Sequence, residues 1–225
     1  MTRNVQVDST SRHLARGAVL LLAAGSLAGC GVNAIPTKEE AAKARWADVQ
    51  SAYQRRADLI PNLVATVKGY AAQERGVLDD VTRARASATQ VHVDPSKLSN
   101  PEAVQRYAQS QAQLGGALGR LLVISERYPD LKSNENFLAL QAQLEGTENR
   151  INVARRDYNA AVQDYNTTLR VFPTVIWAST LYKNERPMTP FEAAESAQSA
   201  PTVSFDASAP AAPGSAPPTP GSSSK

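Results

Sequence analysis

The sequence predicts an all-α fold: an elongated antiparallel bundle of three long helices plus a short C-terminal helix. Three observations carry this prediction. Apolar residues recur every seven positions through three separate stretches, the spacing of a helix that buries one seam against its neighbours. Helix start and stop signals fall between those stretches. The stretches are also long. The first, from about Lys38 to Ala88, would extend roughly 75 Å as one helix, too far for a compact globule.

The chain of 225 residues holds one domain of ordinary size plus tails. Residues 1–29 read as a signal peptide. Arg12 and Arg16 precede a short apolar run, Gly17 to Leu27, which is too short to span a bilayer but suits a secretory signal. Leu27-Ala28-Gly29-Cys30 then resembles a bacterial lipobox. That resemblance implies cleavage before Cys30, diacylation of its sulfur and acylation of its new amine. Each buried CH₂ contributes about 0.8 kcal/mol, so several acyl chains of palmitate type anchor permanently where one would not. The expected location is the bacterial cell envelope, lipid-anchored on the periplasmic side. Gly31 stands where an Asp would favour retention in the inner membrane, which points to the outer membrane. Residues 30–37 read as a lipidated tether.

The helical domain is expected over 38–183. Thr37 and Glu40 form a capping box at its start. In the first helix Trp46, Tyr53, Ile60, Val67 and Val81 make one row, interrupted by Glu74. Val49, Leu63, Tyr70 and Val77 make the other, interrupted by Arg56. Pro61 lies inside this helix and cannot donate to the Ala57 carbonyl. The row phase is kept across it, so a kink is expected rather than a reversal, with Asn62 or an arginine serving the freed carbonyl. Residues 87–100 read as a loop. Asn100 caps the second helix and Pro101 takes its first position. Its rows are Val104, Gln111, Leu118 and Ser125, and Tyr107, Leu114, Leu121 and Tyr128. A turn at Tyr128-Pro129-Asp130-Leu131 leads to the third helix, expected from Asn134 to Val171. Phe137, Leu144, Ile151, Tyr158, Tyr165 and Phe172 form its main row. Val175 to Tyr182 reads as a short helix folding back over one end. Residues 184–225 are rich in Pro, Ser and Ala, cannot bury enough apolar surface, and read as a disordered tail.

Several of these stretches resemble the LemA family. The resemblance lies in Arg55-Arg56-Ala57-Asp58-Leu59-Ile60-Pro61-Asn62-Leu63-Val64, in Val67-Lys68-Gly69-Tyr70-Ala71 and in Glu126-Arg127-Tyr128-Pro129-Asp130-Leu131-Lys132. It continues through Glu148, Ile151, Ala154-Arg155, Tyr158-Asn159, Tyr165-Asn166 and Phe172-Pro173. It implies a membrane-attached antiparallel bundle of long helices outside the cytoplasm, with no agreed biochemical activity. Many members begin with an uncleaved transmembrane helix, and here a lipobox stands in its place.

The candidate site is a polar cluster set into the seams: Arg55, Arg56, Asp58, Asn62, Glu74, Glu148 and Arg155. Arginines on one helix can meet glutamates on another and pin the register of long rods. The other reading is an envelope ligand- or peptide-binding pocket beside Pro61, around Arg56, Asp58 and Asn62. No enzyme, cofactor or metal is expected. The one cysteine is assigned to lipid, and His92 has only Asp94 nearby in sequence. The balanced, interleaved charges lack the basic face that nucleic acid requires. The expected partners are the membrane, through the N-terminal lipid, and an unidentified envelope protein. The function this supports is a non-enzymatic, lipid-anchored helical scaffold.

Overall fold

The computed structural model describes residues 31–192; the expected signal peptide, the expected lipidation site Cys30 and most of the expected tail lie outside the described residues. The protein is all-helical there. The elements are α1 (Ala34–Tyr70), α2 (Arg75–Gln90), α3 (Pro101–Ser125), the single turn α4 (Pro129–Lys132), α5 (Glu135–Thr168) and α6 (Thr174–Thr180), with a 3₁₀ turn at Pro95–Lys97. Among the described residues there is no strand.

Helix α1 starts earlier than the capping box suggests. Ile35 is fully buried, and its burial draws the helix start back to Asn33, whose carbonyl accepts from the Thr37 hydroxyl at 2.7 Å. Pro36 falls in the first turn, where a missing N–H costs nothing. Residues 34–37 are therefore helix and not tether. The helix then runs through Pro61 without a break. The Ala57 carbonyl, freed by that proline, accepts from Arg85 Nε at 2.8 Å, so an arginine serves it as expected.

The first helix ends at Tyr70, and here the sequence reading is corrected. Residues 71–74 reverse the chain, and α2 returns along α1 instead of extending it. Arg85 of α2 reaches Ala57 of α1, and the Trp46 indole donates to the Val93 carbonyl just beyond α2 at 3.2 Å. The reversal packs Leu78, Val81 and Ala88 into one cluster with Ile60, Leu63 and Val67. The four reversing residues take about one helical turn. They leave the sevenfold phase almost undisturbed, so the seam pattern conceals them.

Helix α3 reverses again, beginning at the expected cap: Asn100 Oδ1 accepts from the Glu102 and Ala103 amides. Helix α5 begins at the expected Asn134, which accepts from the Phe137 amide at 3.0 Å. It runs antiparallel to α1, tied by Lys38–Asp164 at one end and Tyr70–Asn134 at the other. The result is an up-down-up-down bundle in which α1 and α5, of 37 and 34 residues, are the long pair. Helix α5 ends at Thr168, so Phe172, expected in its buried row, is exposed instead.

The α2–α3 hairpin is shorter than α1 and covers only part of it. The remainder is closed by residues 91–100 and by a strap at 184–192, where Val93, Leu98, Met188 and Phe191 are buried. This corrects the start of the expected tail. Asn166 donates to the Met188 carbonyl and accepts from its amide, both at 2.8 Å. Asn159, seven residues earlier on the same face, does the same with Phe191 at 3.0 and 2.7 Å. The Thr189 amide donates to Leu98 and the Thr189 carbonyl accepts from Tyr158.

Each asparagine thus satisfies a donor and an acceptor that would otherwise be stranded. Asn159→Ala is expected to cost about 1–3 kcal/mol. Hydrogen exchange should accelerate at the Met188 and Phe191 amides while the α3 amides keep their protection. Unchanged exchange along the strap would contradict the clamp.

Candidate functional site

The bundle interior is divided. One apolar cluster runs from Ile35 to Tyr53 with Tyr107, Ile151, Tyr158, Tyr165 and Phe191. The other runs from Ile60 to Ala71 with Leu78, Leu114, Leu121 and Phe137. Between them lies a polar layer centred on Arg56, which is 6% exposed.

Arg56 reaches two other helices directly and a fourth through a neighbour. Its Nη2 donates to the Gln111 carbonyl at 2.9 Å and to Gln111 Oε1 at 3.2 Å, on α3. Its Nη1 donates to Glu148 Oε2 at 3.2 Å, on α5. The Gln111 amide nitrogen in turn donates to the Ala88 carbonyl at the end of α2, also at 3.2 Å. A planar guanidinium with several fixed donors suits such a junction. Gly115 lies against it: a Cβ there would meet Nη1 at 3.7 Å, an ordinary van der Waals contact. Arg56 Nε has no partner. Glu148 is half-exposed, so its charge stays hydrated and the pair has a wet end and a dry end.

Beside this layer stands an aromatic group. Trp46 contacts Tyr107 and Tyr158 with ring centres 5.3 and 5.1 Å apart, and Tyr53 stacks on Phe191 at 6.0 Å. Each stacked ring carries a cation: Arg56 over Tyr53 at 5.0 Å and Arg155 over Phe191 at 4.7 Å. Burial pushes the phenols of Tyr53, Tyr107, Tyr158 and Tyr165 above their ordinary range, with the two arginine charges opposing that shift at Tyr53.

The predicted polar residues divide accordingly. Arg56 and Glu148 meet as the seam reading expects. Glu74 does not lie on a helix seam. It occupies the α1–α2 reversal and accepts from Arg127 at 2.8 Å and from the Tyr128 hydroxyl at 2.9 Å, joining that turn to the end of α3. Arg155 stands over Phe191 and is far along α5 from Glu74. Its Nε is buried without a partner. Arg55, Asp58 and Asn62 are exposed. Asp58 accepts from Gln54 at 2.7 Å on its own helix. Arg55 lines an open groove of about 470 Å³ between α1 and α5 with Asp48, Arg150 and Asp157. Arg56, Asp58 and Asn62 therefore share no pocket, because α1 turns Arg56 inward and the other two outward.

Sequence reasoning missed Gln111 as a site residue, although it interrupts a seam row as Arg56 does. It also missed Arg127 and Phe191. Phe191 stands in a proline-rich stretch with no periodic signal. Nothing in the polar layer pairs a nucleophile with a base. Among the described residues no three or more His, Cys, Asp or Glu side chains gather where they could hold a metal ion. The arrangement can fix helix register.

Arg56→Ala strands the Gln111 oxygens in the interior and is expected to cost about 3 kcal/mol, whereas Glu148→Gln, half in water, should cost under about 1 kcal/mol. Chemical denaturation of the two variants measures the difference, and equal losses would move the tie elsewhere. The tyrosines supply a pH test. Their folded pKa values are raised, so their contribution is complete below the unfolded value of about 10 and is lost as pH rises past it. The denaturation midpoint should hold from neutrality to about pH 9 and then fall. Most of the phenolate absorbance should appear only as the protein unfolds.

The LemA family model matches residues 45–205. The chain is 26% identical over 192 residues, 74% of this chain and 71% of the relative, to magnetosome protein MamQ 2 of Paramagnetospirillum magneticum. It is 25% identical over 192 residues, with the same shares covered, to magnetosome protein MamQ of Magnetospirillum gryphiswaldense. It is 26% identical over 126 residues, 56% of this chain and 53% of the relative, to protein LemA of Metamycoplasma hominis. The family match spans well over half of the sequence and includes the helices that carry Arg56, Gln111 and Glu148, and this chain belongs to the LemA family.

Proposed function

We propose that this protein is a non-enzymatic helical scaffold of the bacterial cell envelope, held by a lipid on Cys30 with the bundle on the periplasmic side, and that an unidentified envelope protein reads its outer surface. One observation carries this reading. Gly31, the residue bonded to Cys30, is already buried against α6, where a Cβ added to it would lie 3.4 Å from Trp177 Nε1. A lipid on Cys30 would therefore hold the rod itself at the membrane, with no slack between anchor and bundle. The polar layer supports a scaffold role because the Arg56 Nη groups, Gln111 and Glu148 bond to one another across helices. Among the described residues no helix is long and apolar enough to cross a membrane.

Radiolabelled palmitate should enter the wild-type protein and not Cys30→Ser. The wild type should float with the membrane fraction after high-salt washing. Equal incorporation by the two would remove the anchor, and washing the wild type off with salt would reduce attachment to a charge effect.

A further inference from the structure

Large apolar side chains are exposed at nine described positions, and five of them fall between residues 171 and 181. Phe172 is 80% exposed, Leu181 64% and Ile176 47%, with Val171 and Val175 close behind. Single exposed apolar residues are ordinary on a soluble surface, but a cluster of this kind marks a contact. The residues are also neighbours in space. The Val175 amide donates to the Val171 carbonyl and the Ile176 amide to the Pro173 carbonyl, which ties the turn at 171–173 to the start of α6.

The cluster sits where the chain leaves for its anchor. Gly31 packs on Thr174 and Trp177 of α6, and the next residue out is Cys30. One peptide unit spans about 3.8 Å, so acyl chains on Cys30 would emerge beside α6. Trp177 is half-buried, with its indole nitrogen toward Gly31. Arg170, Lys183 and Arg186 flank the apolar stretch, are exposed, and among the described residues join no ion pair. Apolar side chains beside a tryptophan, bordered by long cations, match the layered chemistry of a bilayer interface with anionic headgroups.

We propose that the α5–α6 turn and α6 form a lipid-contacting knob: Val171, Phe172, Val175, Ile176 and Leu181 enter the interfacial layer while Arg170, Lys183 and Arg186 lie at the headgroups. The knob rests on the reading of Cys30 as lipidated, and it gives the anchored rod a second contact. A lipid at a single residue leaves the bundle free to pivot about that point; two adjacent contacts set its orientation to the membrane.

The test uses the full-length protein as processed by the cell, reconstituted into vesicles of phosphatidylcholine and phosphatidylglycerol with brominated acyl chains. Trp46 is fully buried, so the fluorescence difference between wild type and Trp177→Phe isolates Trp177. Trp177 should be quenched by the brominated lipid. The double variant Phe172→Asp, Ile176→Asp should lose that quenching while still floating with the vesicles and melting as the wild type does. Mass spectrometry reads acylation of Cys30 separately. An unacylated protein overturns the anchor and the knob together. An acylated, vesicle-bound protein with unquenched Trp177 overturns the knob alone. So does Trp177 shielded from aqueous acrylamide but untouched by bromine, because a protein partner then covers the patch.

Discussion

A guanidinium removed from water needs several oxygen partners held at fixed positions, and that requirement sets how these helices line up. Arg56 finds its partners on α3 and α5, and Gln111 passes the tie on to α2. Apolar seams tolerate sliding, because a shift of one heptad replaces one aliphatic contact with another. The polar layer does not tolerate it. A slipped helix would leave Arg56 facing leucine, and a buried charge without partners is far costlier than a misplaced methyl group. The two apolar clusters are therefore aligned by the layer between them.

The same logic explains the strap. The long pair α1–α5 leaves an uncovered length beyond the α2–α3 hairpin, and a bundle with two of its four walls missing exposes its core. Residues 184–192 close that gap without forming a helix, and an extended segment brings its own unpaired backbone groups. Asn159 and Asn166, one heptad apart, supply both a donor and an acceptor to it. Phe191 then completes the aromatic group around Trp46 and receives Arg155 on its face. Arg155 is thereby placed by the strap and not by a glutamate.

The two ends of the rod differ in chemistry. Glu74, Arg127 and Tyr128 tie the end where α1 turns into α2. The other end holds Gly31, α6 and the exposed apolar cluster. A 37-residue helix of about 55 Å separates them. Between them the α1–α5 groove, lined by Asp48, Arg55, Arg150 and Asp157, is open on the side of the bundle.

Local chemistry determined the helical class, the seam residues, the caps at Asn100 and Asn134, and the need for a donor at the Ala57 carbonyl. Each of these depends on residues within one or two turns, so each is written in neighbouring letters. Arg56 was legible as an interior polar residue for the same reason: it breaks an apolar row. Direction was not legible. A sevenfold repeat reads the same whether a helix continues or doubles back across four residues, so the reversal at 71–74 and the true partners of Glu74 and Arg155 were decided only when distant segments packed. The strap was invisible for a related reason. Met188 and Phe191 are buried by a gap that exists only once α1 and α5 have outgrown the hairpin beside them.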